Sequence, residues 1–299
     1  MEYNRHSYEI MPLYPIRGFP AVLSALVVLS LFLSAEADAD PNIVAETFQP
    51  YAELLGQFVT EHDLPDDGLV SSFDYRSALE HAETSDRLAE QRQRLAEFDP
   101  DVLTDRDSAN AFWLNAYNFF MIAHILENPR RGELASSVRD YGHLFNPYRV
   151  FRRDLFDVGG RKYSLSEIEL DILLGTEFQE RGWKDARVHF TVNCASVGCP
   201  PLRADIHTAD NVEYLMAENT RRSLNTSLHL WIDNEVLYLS SLFDWYEDDY
   251  VEHSGSVREF LNDYADPDLR PAIEATQRIR FIDYDWDLNS PENMQPWIR

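Results

Sequence analysis

The order in which helical and strand patterns follow one another constrains the fold of this chain most. Helical patterns dominate the first half, and short strand patterns interleaved with helices follow in the second. Tight-turn signals join neighbouring strand patterns, and no strand–helix–strand series repeats. We therefore predict an α+β fold: a single domain in which helices pack on a small, mostly antiparallel sheet.

Individual elements carry recognisable start and stop signals. Residues 105–127 predict a strong helix that an Asn-Pro pair ends. A Gly-Gly pair separates two alternating runs at 154–158 and 161–165, which predicts a tight hairpin. The other predicted strands are 187–193, 228–232 and 236–239, the last two as a second hairpin, and 279–283. The other predicted helices are 42–62, 76–98, 164–174, 209–224, 242–250, 257–264 and 269–275.

The N-terminal residues have the pattern of a secretory signal peptide. Arg17 precedes an apolar run over 19–33, and the small residues around Ala37 and Ala39 offer a peptidase site. We predict cleavage, export to the periplasm or the medium, and no stable membrane insertion afterwards. An uncleaved N-terminal anchor is the alternative, although the apolar run is short for a membrane span.

The formal net charge of the chain is -26, and Lys162 and Lys184 are its only lysines. Such a field disfavours nucleic acid and anionic membrane surfaces as partners. The acidic residues are dispersed along the chain, so they do not indicate an acidic interaction tail. Adaptation to a salty medium is the hypothesis that accounts for this composition.

The segment VHFTVNCASVGCPPL at 188–202 concentrates the candidate chemistry. It contains the only cysteines, Cys194 and Cys199, with His189 just upstream. In a regular strand His189 and Cys194 lie on opposite faces, so their pairing needs a bulge or a Cys194 beyond the strand end. Pro200 favours a helix or turn that begins beside Cys199, where free backbone N–H groups lower a thiol pKa.

Four interpretations of this segment stay open. The cysteines are structural, as a disulfide or as buried thiols, or one is a nucleophilic thiolate assisted by a histidine. Alternatively they bind a metal together with His189 and His207, or they form a redox dithiol. The four-residue gap between the cysteines is wider than the usual C-x-x-C spacing, which disfavours the last two interpretations.

Three further polar residues are candidates on apolar helices. Asn115 and Asn118 lie three apart on one face of the helix at 105–127. Their amides either form a structural network with a neighbouring loop or orient a substrate. Glu169 lies between two apolar residues; if it faces the cysteine loop, burial suits it for acid–base chemistry, and if it faces solvent it is ordinary.

Aromatic and acidic residues mix at 245–250 and 284–286. These stretches either clasp the core or form a wall that binds carbohydrate or a cation. Phosphate-binding, dinucleotide, serine-hydrolase and metalloprotease motifs do not occur in the sequence. We predict no bound cofactor and no metal.

Five pieces of this sequence together resemble the family called domain of unknown function 547. They are FWLNAYN at 112–118, SLSEIE at 164–169, VHFTVNCASVGCPPL at 188–202, LSSLFDWYEDDY at 239–250 and YDWDLN at 284–289. Together with the signal-peptide pattern (1–37), the resemblance predicts three further parts: a helical N-terminal extension as in exported bacterial members (38–102), the family domain (103–289) and a C-terminal tail (290–299).

The resemblance also implies which residues matter, although the family name records no activity. The position of Cys194 is usually cysteine in this family and that of Cys199 is often serine, so a disulfide is not the shared purpose. The family's characteristic positions fall on Asn115, Asn118, Glu169, His189 and Asp249.

Our functional hypothesis is a thiol-dependent acyl-transfer enzyme, an amidase or peptidase-like hydrolase. In it Cys194 attacks, His189 acts as base with His207 as substitute, and Asn115, Asn118 or Glu169 orient the substrate or stabilise charge. The alternative is a non-catalytic binding module built on the same polar network. Either way we expect an unidentified small-molecule or peptide ligand and no nucleic acid.

Overall fold

Three stretches of the chain are described by the computed structural model: residues 42–130, 132–142 and 146–298. They belong to one compact unit, Ala39–Arg299. The predicted signal peptide, 1–37, lies outside the described residues. None of the helices in these stretches combines the length and the apolar character that crossing a membrane requires.

Short helices and strands alternate along this unit. Its N-terminal part contains α1 (Ile43–Thr47), α2 (Gln49–Phe58), β1 (Val59–Asp63), β2 (Leu69–Phe73), α3 (Tyr75–Glu80), α4 (Thr84–Glu97), α5 (Arg106–Glu127), β3 (Phe156–Val158) and β4 (Arg161–Tyr163). Its C-terminal part contains α6 (Thr176–Glu180), α7 (Val212–Leu224), β5 (Leu230–Asp233), β6 (Val236–Ser240), α8 (Leu242–Trp245), α9 (Glu247–Ser254), α10 (Val257–Tyr264), α11 (Arg270–Ala275), β7 (Arg278–Ile282) and α12 (Pro291–Met294).

Helix α5 is the centre of the main core. It begins where the side chain of Asp105 accepts a hydrogen bond from the Ser108 N–H at 2.8 Å. It ends before Pro129, as the sequence predicts. Nearly every residue of α5 is buried, which identifies it as a core helix with no solvent face. Side chains from α1, α2, α4, β3 and the π-helix that follows β4 pack around it.

The strands form three small sheets. β1 pairs with β2 and β3 with β4, both antiparallel, while β6 pairs antiparallel with β5 and parallel with β7. Gly159 and Gly160 join β3 to β4 with φ of +60° and +75°, the left-handed values that a two-residue hairpin turn requires. The predicted α+β fold is confirmed, with the strands divided among three sheets.

Two N-terminal helix predictions were too long. The helix predicted at 42–62 ends at Phe58, and β1 follows, because pairing with the buried β2 outweighs the helical pattern. The helix predicted at 76–98 is two helices, since His81 has an extended backbone that separates α3 from α4.

The strand predicted at 187–193 was wrong. Residues Ala186–Phe190 form a 3₁₀ helix. The Asp185 carboxylate accepts the Arg187 backbone N–H at 2.9 Å and also bonds the Arg187 guanidinium, so the chain turns where it would otherwise extend. The strand-alternation argument that separated His189 from Cys194 therefore does not apply.

A second core lies beside this 3₁₀ helix. Its largest members are Phe190, Phe243, Tyr250 and Phe260, which come from the helix and from α8, α9 and α10. Phe190 is therefore fixed in the second core while its neighbour His189 is fully buried on the side of the polar site described next. The packing of Phe190 therefore sets the direction of the His189 side chain.

Candidate functional site

Two asparagines hold the loop that carries the cysteines. Asn118 Nδ2 donates to the Thr191 carbonyl oxygen at 3.2 Å, and Asn118 Oδ1 accepts the Asn193 N–H at 2.7 Å. Asn193 then donates to the Pro200 carbonyl oxygen at 2.7 Å and accepts the Ala195 N–H at 2.8 Å. Asn118 therefore fixes the backbone of the cysteine loop at Thr191 and Asn193.

The C-terminal segment holds the other edge of this loop. The Val197 N–H donates to the Asp287 carbonyl oxygen at 2.8 Å, and the Gly198 N–H donates to that of Asp285 at 2.9 Å. A Cβ at position 198 would lie 3.1 Å from the backbone nitrogen and oxygen of Asp285, so glycine permits this close approach. The loop is thereby clamped between α5 and the C-terminal segment.

Cys194 and Cys199 form a disulfide with Cα atoms 6.2 Å apart. The Tyr284 hydroxyl lies 3.2 Å from Cys194 Sγ and 3.1 Å from Cys199 Sγ, and the Ser196 hydroxyl lies 3.0 Å from Cys194 Sγ. The Cys194 N–H also donates to Cys199 Sγ at 2.8 Å. A disulfide sulfur has no proton to donate, so both hydroxyls are donors here, and the same donors would stabilise a thiolate.

The backbone is strained immediately after Cys194. Ala195 has φ of +65°, although it carries a Cβ and is fully buried. Elsewhere in the described stretches, the non-glycine residues with positive φ lie in turns: Asp66, Asp67, Asn234 and Glu235. Strain of this kind persists only where the surroundings enforce it, and it clusters at functional sites.

A buried row of charged groups lies beside the cysteine loop. His189 Nε2 is 2.9 Å from Asp249 Oδ2, and His189 Nδ1 is 3.4 Å from Glu169 Oε1. Lys184 Nζ pairs with the other Asp249 oxygen at 2.9 Å. Burial lowers the pKa of His189, but the hydrogen bond to Asp249 and the Glu169 carboxylate outweigh it, so the pKa is raised. Both imidazole nitrogens therefore face carboxylates.

Local structure explains why Glu169 is buried. Glu169 belongs to a π-helix, Glu167–Leu173, in which the Leu174 N–H bonds the Glu169 carbonyl oxygen at 3.0 Å. Such wide turns are frequent at functional sites. Only 7% of Glu169 is exposed, so of the two alternatives the sequence left open, the solvent-facing one is excluded.

The charge of the Glu169 carboxylate acts on four tyrosines of the described stretches, Tyr117, Tyr246, Tyr250 and Tyr284. Burial raises the pKa of Tyr117, Tyr246 and Tyr284, and the nearby charge of Glu169 raises each of them further. The Tyr246 ring also stacks on His189 with centroids 3.9 Å apart. The hydroxyl of Tyr284 thus contacts both sulfurs, and the charge of Glu169 acts on the same tyrosine.

Asn115 serves a different loop. Its Nδ2 donates to the His207 carbonyl oxygen at 2.7 Å, and its Oδ1 accepts the His207 N–H at 2.9 Å. Burial and the nearby Arg203 lower the pKa of His207 to about 3. No hydrogen bond joins His207 to a cysteine in the described stretches, and no group of three or more acidic, His or Cys side chains there is arranged to hold a metal.

The structure thus brings together part of the predicted site. Glu169 and His189 adjoin, Cys194 lies beside Tyr284, and Asn118 lies beneath the loop, while Asn115 holds the His207 loop. Whether these residues perform catalysis stays a prediction. Reasoning from the residues alone missed Tyr246, Tyr284 and Asp249. Their only signal was the mixture of aromatic and acidic residues at 245–250 and 284–286, which is also typical of a core clasp.

A comparison with protein-family models gives a match over the middle of the chain. The model described as "Protein of unknown function, DUF547" matches residues 100–224. This range includes both cysteines, His189 and Glu169, whereas Asp249 and Tyr284 lie after its end. No curated protein and no solved structure matches the chain. Residues 100–224 of this chain thus match the DUF547 family of proteins of unknown function.

Proposed function

We propose that this chain is a thiol-dependent acyl-transfer enzyme, an amidase or peptidase-like hydrolase. Its nucleophile is Cys194, set free when an external dithiol reduces the bond to Cys199 by thiol–disulfide exchange and is itself oxidised to a disulfide. One observation carries this proposal: the Tyr284 hydroxyl lies within 3.2 Å of both sulfurs and in the electrostatic field of the buried Glu169 carboxylate, which is itself 3.4 Å from His189 Nδ1. Hydrogen-bond donors at a sulfur and an acid–base group one residue away are what a thiol nucleophile needs.

The reaction would proceed through a thioester. The Cys194 thiolate attacks the carbonyl carbon of an amide, the carbon–nitrogen bond breaks, and the amine leaves with a proton. Water then attacks the thioester, releases the carboxylic acid and restores the thiol. The Tyr284 and Ser196 hydroxyls, at 3.2 and 3.0 Å from the sulfur, stabilise the thiolate between turnovers.

Proton transfer in this proposal runs from Cys194 through the Tyr284 hydroxyl to Glu169. His189 lies with both ring nitrogens against carboxylates, so it acts by holding Glu169 and compensating its charge. This gives His189 a positioning role where the sequence suggested a base. Asn118 fixes the loop on which the nucleophile lies.

Iodoacetamide labelling across pH, with and without a mild reductant, tests this proposal when peptides are read by mass spectrometry. After reduction we expect rapid labelling of Cys194 with an apparent pKa well below about 8.5, the ordinary thiol value. The Cys199→Ser variant, which cannot form the disulfide, should label at Cys194 without reductant. A slow Cys194 with an ordinary or raised pKa in both proteins would refute a nucleophilic thiol.

Export is part of this proposal and also awaits a test. A disulfide forms and persists in oxidising compartments, which fits the N-terminal signal-peptide pattern. Cell fractionation of the full-length chain, with N-terminal sequencing of the recovered protein, is the measurement. A protein recovered from the cytoplasm with residues 1–37 intact would contradict export.

A second candidate function is a non-catalytic binding module. The observation that favours it is the disulfide itself, since a bonded pair has no free thiolate. In this case Cys194 stays unreactive after reduction, whereas ligand binding continues in the Cys194→Ser variant. The labelling experiment therefore separates the two candidates.

A further inference from the structure

An aromatic ledge lies next to the sulfur pair; it consists of Trp245, Tyr284 and Trp286. The ring centroids are 4.9 Å apart for Trp245 and Tyr284, 4.6 Å for Tyr284 and Trp286, and 5.8 Å for the two tryptophans, which are within 24° of parallel. Trp245 is 45% exposed. Trp245 therefore offers a partly exposed aromatic face beside the buried polar site.

The ledge and the reactive groups are directly connected. Tyr284 belongs to the ledge, and its hydroxyl is within 3.2 Å of both sulfurs. Tyr246, the residue after Trp245, stacks on His189. A molecule lying on Trp245 would therefore be separated from the sulfurs by the ring of Tyr284.

Exposed carboxylates predominate among the chain neighbours of the ledge. Exposed carboxylates neighbour its residues in the chain: Asp244, Glu247, Asp283 and Asp287. The chain as a whole carries a net charge of -26. The nearby Lys184 is already paired with two carboxylates, Asp249 and Glu252. A negative field of this size concentrates cations at the surface and repels anions.

The ledge already holds one cation, the exposed Arg139, on Trp286. The Arg139 guanidinium lies 5.0 Å from the centroid of Trp286 and 5.7 Å from that of Tyr148. Aromatic faces attract cations because their ring electrons form a negative surface, and tryptophan does so most strongly. Trp245 offers the same kind of face toward solvent.

We propose that the aromatic ledge binds the cationic side chain of a peptide, a lysine or an arginine, and so presents a neighbouring amide to Cys194. This names a substrate class for the site and rests on the proposed thiol chemistry for cleavage, but not for binding. A neutral sugar could also stack on Trp245, yet it would gain nothing from the negative field that surrounds the ledge.

Binding can be measured on the oxidised, full-length protein, which needs no free thiol. The probes are two neutral-capped peptides, acetyl-Gly-Lys-Gly-amide and acetyl-Gly-norleucine-Gly-amide, which differ only in the side-chain ammonium. Isothermal titration calorimetry should give an affinity for the lysine peptide at least about threefold higher than for the norleucine peptide, the size of an exposed cation–π contact.

The variants Trp245→Ala and Trp231→Ala locate the binding site. Trp231 is a matched control, because it is also exposed, at 37%, but stacks on Tyr238 of the β5–β6–β7 sheet. Trp245→Ala should abolish the preference for lysine, and Trp231→Ala should retain it. Three results would each overturn the inference. The first is equal binding of both peptides, and the second is an equal effect of both variants. The third is tight Trp245-dependent binding of a neutral chitin oligosaccharide in place of the lysine peptide.

The outcome can be separated from that of the labelling experiment. A reactive Cys194 with no lysine preference would retain the thiol enzyme and remove this substrate class. An inert Cys194 with a Trp245-dependent lysine preference would leave a cation-binding module without thiol chemistry.

Discussion

Replacing Asn118 with alanine should destabilise the protein more than an ordinary buried substitution. The change removes both partners of buried backbone groups, the Thr191 carbonyl oxygen and the Asn193 N–H. A buried polar group left without a partner costs about 1–3 kcal/mol, so two such groups cost about 2–6 kcal/mol. For a domain of this size, about 2–4 °C of melting temperature is lost per kcal/mol, so we expect a fall of at least about 4 °C.

Asn110→Ala provides the matched control on the same helix. Asn110 is as buried as Asn118, but its Nδ2 bonds only the Arg106 carbonyl oxygen one turn earlier, and its Oδ1 has no hydrogen-bond partner in the described residues. Alanine also favours the helix by several tenths of a kcal/mol. We expect Asn110→Ala to change the free energy of unfolding by less than about 1 kcal/mol.

Urea denaturation of the oxidised proteins, followed by circular dichroism, measures both variants. The difference in free energy of unfolding between Asn118→Ala and Asn110→Ala should exceed about 1 kcal/mol with unchanged slopes. Equal stabilities would refute the reasoning, since the two variants delete the same atoms from the same helix and differ only in the loop contacts. Labelling of reduced Asn118→Ala should in addition show a higher Cys194 pKa.

Tyr284→Phe should raise the labelling pKa of reduced Cys194 by about one to two units, because a hydrogen bond to a charged group contributes about 1.5–3 kcal/mol; an unchanged pH profile would count against thiolate stabilisation by this hydroxyl. The pKa of His189 is raised in the folded protein, so its stabilising contribution is complete below about pH 6.5 and declines as pH rises through the folded value. Urea midpoints across pH should therefore show a decline above neutrality that His189→Gln lacks; parallel profiles would contradict this sign. Ala195→Gly relieves the positive φ and should lower the free energy of unfolding by less than about 1 kcal/mol, whereas Ala116→Gly in the middle of α5 should lower it by more than that. Thermal melts that rank the two variants in the opposite order would argue against strain at Ala195.

The parts of the fold that the sequence predicts well are those that local signals determine. The bounds of α5 follow from the Asp105 cap and Pro129, and the β3–β4 turn follows from two adjacent glycines. Each of these signals acts within a few residues, so it operates the same way in any surroundings.

Long-range contacts decide the parts that the sequence does not predict. The residues at 187–193 alternate like a strand, yet the Asp185 carboxylate and the Asn118 amide give them a 3₁₀ helix followed by a clamped loop. Likewise, no local pattern indicates that Tyr284 reaches sulfurs 85 and 90 positions away. Distant partners override local propensity wherever they satisfy buried polar groups.

The sequence identifies several residues of the candidate site, but it does not predict how they are arranged. Cys194, His189 and Glu169 are identifiable because reactive side chains are rare in apolar surroundings. Their grouping is different from the expected one, since His189 faces two carboxylates and Tyr284 occupies the place beside the sulfur. Pairing by sequence proximity favoured His189 with Cys194, whereas the fold pairs each of them with residues from the C-terminal part of the chain.

The clamp between the cysteine loop and the C-terminal segment has a consequence for folding kinetics. Ser196 bridges Leu288, and the Asn289 carbonyl oxygen accepts the Phe73 N–H of the N-terminal hairpin. These closures span most of the unit, and loops of such length close late because their entropy must be lost before the contacts form. During synthesis both cysteines are therefore made before residues 284–289. Until those residues follow, the two thiols lack Tyr284, so the site is completed only when synthesis has reached the end of the fold.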